Sequence, residues 1–128
     1  MTLTYFKHSE FNCNCGGEDC KGEKMNYAFL DKLDRARGLA ENTPFKITSG
    51  FRCKEYNEDL IKRGYKASRN SSHLKGLAAD ISVKDSKSRF IVINSLLLAG
   101  FTRLGISDTF IHVDLDIEEK TQNVIWTY

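Results

Sequence analysis

Apolar residues recur along this chain with two different periods, one helical and one extended. Over residues 24–41 the spacing is helical, which predicts an amphipathic helix with Pro44 just beyond its end. A second helix is predicted over residues 54–63, where Gly64 closes it. The first part of the chain is therefore expected to be mainly helical.

The third predicted helix lies in the most apolar segment of the chain. Ser86 is expected to cap its first turn, and Gly100 marks its end. Its buried face is expected to contain Phe90, Ile93 and Leu97. We expect this face to pack into the protein core.

Short extended segments dominate the remainder of the chain. The predicted strands cover residues 45–49, 78–83, 103–106, 109–115 and 123–127. Because helices come first and strands later, we predict an α+β fold. The expected architecture is a small, mainly antiparallel sheet with helices packed on one side.

Size and composition indicate one folded domain with no division by a linker. The chain has 128 residues and a mass of 14.6 kDa, so residues 1–128 are predicted to form a single domain with residues 1–23 packed on it as a cysteine-containing loop region. A net charge of +2 gives no electrostatic signature of a nucleic-acid partner. We expect a monomer.

The amino-terminal and apolar segments bear on where the protein acts. Residues 1–10 lack the basic and apolar regions of a secretory signal. The apolar stretch at residues 90–99 is interrupted by Asn94 and Ser95 and is too short to span a bilayer. We therefore expect synthesis in the cytoplasm without a signal peptide and no insertion into a membrane.

Four cysteines allow three interpretations. Cys13, Cys15, Cys20 and Cys53 do not have the paired C-x2-C spacing of a zinc ribbon. Reduced thiols are the first interpretation, because disulfides are disfavoured in the cytoplasm. A small second metal site and disulfide pairing after release into an oxidising space remain as alternatives.

The segment around His112 carries the clearest chemical signal. Apolar residues alternate there with His112, Asp114 and Asp116, so the three polar side chains share one face of a predicted strand. A second segment places His73 in a polar loop and Asp80 on another strand. If the two strands are neighbours, both histidines and Asp80 reach one cleft. Such a set leaves a fourth position of a tetrahedral zinc ion open for water.

Three blocks of the sequence resemble the zinc peptidoglycan peptidases. The blocks are residues 47–52 (ITSGFR), residues 70–81 (NSSHLKGLAADI) and residues 110–114 (FIHVD), and they occur in the family's order. The family includes D-alanyl-D-alanine carboxypeptidases and the L-alanyl-D-glutamate endopeptidases of phage endolysins. The fold of this family resembles that of the hedgehog signalling domain, in which a zinc site can be retained in a binding module without hydrolysis.

The resemblance implies a role for four residues. His73, Asp80 and His112 would be the ligands of a Zn²⁺ ion. Arg52 would bind a substrate carboxylate or stabilise the developing oxyanion, because its planar guanidinium pairs with carboxylates through two hydrogen bonds. His8 is expected to take no part, and Trp126 is expected either to form a wall of the cleft or to fill the core.

The general base is the position at which the sequence departs from the family pattern. Several branches have an acidic residue three positions before the second histidine ligand, and here that residue is Thr109. Asp114 is the first candidate for the base, since it lies on the same strand face as His112. Asp108, at the turn before the strand, is the second candidate.

These observations predict a zinc metallopeptidase that cleaves a bond in the peptidoglycan stem peptide. The bond could be that of a D-Ala-D-Ala carboxypeptidase or of an L-Ala-D-Glu endopeptidase. The setting expected for such a short chain is a phage or prophage lytic enzyme that reaches the bacterial cell wall after holin-type release. Two alternatives are a non-catalytic zinc-containing binding module of hedgehog-like fold and a phage structural or regulatory protein that keeps zinc for stability. Thr109 is the feature that favours the binding module.

Overall fold

The computed structural model describes residues 2–65 and 67–128. Its helices are α1 (Tyr27–Leu39), α2 (Lys54–Lys62) and α3 (Ser86–Leu98). Its strands are β1 (Ile47–Ser49), β2 (Ala78–Ser82), β3 (Arg103–Ile106), β4 (Phe110–Asp114) and β5 (Val124–Thr127). Three short 3-10 helices, His8–Phe11, Gly22–Lys24 and Ser72–Lys75, complete the regular structure.

The five strands form one sheet in the order β1-β2-β4-β3-β5. Three of the four strand pairs are antiparallel, and only β3 and β5 run parallel. The predicted α+β fold with a mainly antiparallel sheet is therefore confirmed. The central pair, β2 and β4, has a register that sets Asp80 directly opposite His112.

One face of the sheet is apolar and forms the core with α1 and α3. Ile111 and Val113 of β4 are fully buried there, together with Leu33 of α1 and Leu96 of α3. The opposite face carries the polar side chains of β2 and β4, because successive residues of a strand point to opposite sides. Helix α2 lies on that second side, where its Leu60 lines a cavity.

The buried face of helix α3 only partly matches the one that the sequence predicted, since Ile93 packs against the core but Phe90 and Leu97 do not. Phe90 is 67% exposed and Leu97 45% exposed, whereas Val92 and Leu96 are buried. The segment is apolar on nearly every side, so its sequence pattern does not select one face. The cap is also different, since the side chain of Asp85, not Ser86, accepts the hydrogen bond from the Ser88 amide.

The helices of the described residues are short. The longest have 13 residues, and none provides an apolar span of membrane length.

Candidate metal centre

Three potential metal ligands converge on the polar face of the sheet. Asp80 of β2 and His112 of β4 are cross-strand partners, with 2.9 Å between Asp80 Oδ1 and His112 Nδ1. His73 joins them from the 3-10 helix before β2, with its Nε2 3.3 Å from the same Asp80 oxygen. One donor atom from each residue lies within 4.8 Å of the others, and all three side chains are buried.

Local sequence explains why His73 reaches this point. The Ser71 hydroxyl accepts a hydrogen bond from the His73 amide and caps the 3-10 helix. Gly76 ends that helix in the left-handed conformation with φ +70°, which favours glycine. A Cβ at Gly76 would also collide with the Lys24 carbonyl oxygen. The chain can therefore turn tightly into β2 directly after presenting His73.

In each histidine, the ring nitrogen that does not face Asp80 has a hydrogen-bond partner. His73 Nδ1 lies 2.8 Å from the Gly50 carbonyl oxygen, and His112 Nε2 lies 2.8 Å from Asp114 Oδ2. Carbonyl and carboxylate partners of this kind fix the tautomer and the orientation of metal-binding histidines. They leave His73 Nε2 and His112 Nδ1 directed toward Asp80. The donor set therefore fits a zinc ion with three protein ligands and one open position, the arrangement of catalytic zinc sites.

Electrostatics favour the protonation states that metal binding requires at His73 and Asp80, but not at His112. Burial lowers the pKa of His73, although Asp80 acts in the opposite direction. Burial would raise the pKa of Asp80, but the charge of His73 and hydrogen bonds from both histidines hold it well below its usual range. Burial opposes the charged form of His112 as well, but hydrogen bonds to Asp114 and Asp80 raise its pKa. Asp80 is thus ionised and His73 neutral near pH 7.

Arg52 lies over the second oxygen of the Asp80 carboxylate. Its Nη2 is 3.4 Å from Asp80 Oδ2, while its Nε donates to the Ser49 hydroxyl at 3.0 Å and its Nη1 to the Asn57 side-chain oxygen at 3.3 Å. The backbone amide of Arg52 also donates to the His73 carbonyl. The structure therefore brings Arg52 to the site and holds its guanidinium at the edge of the cavity.

Asp114 is fully engaged by neighbouring groups. Its Oδ2 faces His112, and its Oδ1 accepts hydrogen bonds from Arg103 Nε at 2.8 Å and from the Asp116 amide at 3.2 Å. Burial would raise its pKa, but His112 and Arg103 hold it below the ordinary value. These are the contacts of a carboxylate that orients His112. The general-base role of Asp114 stays a prediction.

The second base candidate lies away from the ligands. Asp108 is exposed at the turn before β4, and its carbonyl oxygen accepts a hydrogen bond from Arg89. It does not line the cavity that contains the three ligands. Thr109 is likewise exposed. Ser107, the neighbour of Asp108, does line the cavity. The general-base role of Asp108 therefore stays a prediction, as it does for Asp114.

The ligands lie in an open cavity of about 680 Å³. Trp126 forms part of its wall, with its ring centroid 5.5 Å from that of His112. Tyr128, Lys120 and Arg52 also line it. The described residues that line the cavity include two carboxylates, Asp80 and Asp114.

The comparison with known families agrees with this geometry. A family described as Peptidase M15 matches residues 4–114. The chain belongs to the M15 peptidase family. This family of zinc peptidases includes D-Ala-D-Ala carboxypeptidases and endolysin-like members. No curated protein matches the chain.

Several residues of this M15 peptidase site were not predicted from its sequence. Arg103 was assigned only to a strand, although its alternation with Leu104 places it on the polar sheet face and could have indicated a role. Asn57 is buried and supports Arg52, but it resembles any polar residue of a helix. Gly50 orients His73 through its backbone carbonyl oxygen. Every residue has such a group, so the residue type could not indicate this role.

Proposed function

We propose that this M15 peptidase hydrolyses a peptide bond in the stem peptide of bacterial peptidoglycan. The observation that carries the proposal is the set of three convergent donors, His73, Asp80 and His112, at an open cavity. A closed structural site would have a fourth protein ligand, whereas a hydrolytic site keeps a position for water.

His73, Asp80 and His112 would hold the zinc ion. When bound, zinc lowers the pKa of water and polarises the carbonyl of the bond to be cleaved. The protein supplies orientation: the Gly50 carbonyl holds His73, and the Asp114 carboxylate holds His112. Such support is typical of sites in which small displacements of a ligand would reduce the rate.

Arg52 and Trp126 would position the substrate. The guanidinium of Arg52 is preoriented by Ser49 and Asn57, so it can pair with a carboxylate of a stem peptide without first being ordered. Trp126 offers a flat apolar wall beside His112. Together they would fix one charged group and one side of the peptide relative to the ligands.

Peptidoglycan digestion tests the proposal directly. Purified cell wall incubated with the protein and zinc should release new amino groups, and mass spectrometry of the fragments should identify the cleaved bond. His112→Ala should abolish release, while His8→Ala, which alters a histidine outside the site, should retain it. Chelation should stop release, and added zinc should restore it.

The same experiment separates hydrolysis from binding. Tight zinc binding with no cleavage of any stem peptide would refute the proposal and favour a non-catalytic binding module. We further propose that the protein acts on the wall from inside after release from the cytoplasm. Cleavage of purified wall together with no effect on whole untreated cells would support this setting, and lysis of untreated cells would contradict it.

A further inference from the structure

Four cysteine thiols lie together at a second position, away from the three candidate ligands. The loop formed by residues 12–22 supplies Cys13, Cys15 and Cys20, and the residue before α2 supplies Cys53. One sulfur atom from each lies within 4.8 Å of the other three. All four are free thiols, so the loop is not held by a disulfide.

Two of the separations between sulfur atoms are close to those of a tetrahedral metal site. Cys53 Sγ is 3.9 Å from Cys13 Sγ and 3.9 Å from Cys15 Sγ. Four sulfurs at about 2.3 Å from a tetrahedral zinc ion are separated from one another by about 3.8 Å. A disulfide would require about 2.05 Å. The backbone thus already holds these two pairs of thiols close to the spacing of zinc ligands.

Backbone amides are directed at three of these sulfur positions. Gly17 N donates to Cys15 Sγ at 3.2 Å, and Cys53 N donates to Cys13 Sγ at 3.4 Å. Cys53 Sγ caps α2 by accepting from Tyr56 N at 3.4 Å. N–H donors stabilise thiolate anions and provide the outer contacts of thiolate metal sites. The N-terminus of α2 adds the positive end of a helix dipole.

The base of the surrounding loop is closed by backbone hydrogen bonds such as that from Cys13 N to the Cys20 carbonyl oxygen at 2.7 Å, but its tip is open to solvent. Residues 14–19 are all exposed, and Gly16 adopts φ +78° within a tight turn. Hydrogen bonds such as that from Asn14 to the Thr48 carbonyl are exposed to solvent. An exposed loop with a preformed cage of four thiols is the situation in which a bound metal contributes folding free energy.

We propose that Cys13, Cys15, Cys20 and Cys53 bind a structural zinc ion. Four thiolates close the coordination sphere and leave no position for water, so this ion has no part in hydrolysis. It joins the amino-terminal loop to the segment before α2, in which Cys53 directly follows Arg52. The ion therefore also restrains the backbone that presents Arg52 to Asp80. This inference does not depend on the proposed peptidase activity.

Metal analysis of variants tests the proposal. Wild-type protein purified in metal-free buffer should contain two zinc ions per chain. A His73→Ala/His112→Ala variant should retain one, and a Cys15→Ser/Cys53→Ser variant should retain the other. Asp19→Asn, which alters the same loop without removing a thiol, should retain both. After replacement of zinc by cobalt, a thiolate-to-cobalt charge-transfer band should appear in the histidine variant and be absent from the cysteine variant.

The histidine variant makes the result decisive even if the cysteine variant fails to fold. It keeps all four cysteines, so it should hold one zinc ion and show the cobalt-thiolate band. A histidine variant with no zinc, or with four thiols that react freely before and after zinc is added, would overturn the proposal. So would disulfide bonds among these cysteines, detected by mass spectrometry of the untreated protein.

Discussion

His112 Nε2 and Asp114 Oδ2 lie 2.8 Å apart on one face of β4, on the side of the imidazole opposite to Asp80. The two residues are separated by one position in the strand, so the alternation of β4 places both on the polar face. Arg103 occupies the remaining oxygen of Asp114. The Asp114 carboxylate therefore links His112, a candidate metal ligand, to Arg103 on the neighbouring strand β3.

Asp114→Asn should weaken zinc binding by about 10–100-fold, the usual effect of removing a group that orients a metal-binding histidine. Competition with a zinc chelator measures this affinity. Wild-type affinity in the variant would contradict the orienting role. The general-base hypothesis predicts in addition a loss of about 10²–10⁴ in kcat at saturating zinc. Full turnover under those conditions would contradict that hypothesis.

Arg103→Leu should lower the free energy of unfolding by about 3–5 kcal/mol, because the buried Asp114 carboxylate would lose its ion pair with the guanidinium. Urea denaturation monitored by circular dichroism measures the change. Arg63→Ala is a matched control: its ion pair with Asp59 is exposed, so its loss should cost no more than about 1 kcal/mol. Equal effects of the two substitutions would show that the Arg103 pair is no more important than a surface pair.

Gly105→Ala should displace Trp126. An added Cβ would lie 2.6 Å from Trp126 Nε1 and 2.7 Å from Cε2, distances that force the ring to move. We expect the free energy of unfolding to fall by about 1–3 kcal/mol. The fluorescence of the single tryptophan should shift to the red as its ring moves toward solvent. Combining Gly105→Ala with Trp126→Leu should recover part of the stability, and strictly additive losses would argue against this steric conflict.

Asp116 should give the protein a pH-dependent stability. Burial would raise its pKa, but hydrogen bonds from Ser72 and Lys75 hold it below the ordinary value. Its contribution is therefore fully present above the pKa of the unfolded chain and is lost as the pH falls through the lower pKa of the folded state. Asp116→Asn should cost about 1–3 kcal/mol near pH 7.

The difference between wild type and Asp116→Asn should narrow as the pH falls below about 4, near the pKa of an unperturbed aspartate. Denaturation curves over a pH series measure it. Asp59→Asn, at an exposed ion pair, should change stability little at any pH. If the difference in stability between wild type and Asp116→Asn stays constant below about pH 4, the charge of the carboxylate is not involved.

Local periodicity in the sequence was enough to predict the helices, the strands and the faces of β4. Strand alternation depends only on backbone geometry, so it assigns His112 and Asp114 to one face without knowledge of their neighbours. The same approach was wrong for Phe90 and Leu97 of α3, because a segment that is apolar on nearly all sides gives no preferred face. The packing of α3 against the rest of the core determines which face is buried, and that face contains Val92 and Leu96.

By itself the sequence determined the fold class, the family resemblance and the candidate ligands, because each depends on residue types at short, fixed spacings. Only the tertiary structure placed His112 between Asp80 and Asp114, gave Asp114 its partner Arg103 and left Asp108 outside the cavity. It also brought Cys53 to three cysteines from the amino-terminal loop. The tertiary fold brings together residues 11 to 40 positions apart, and separations of that length carry no periodic signal in the sequence.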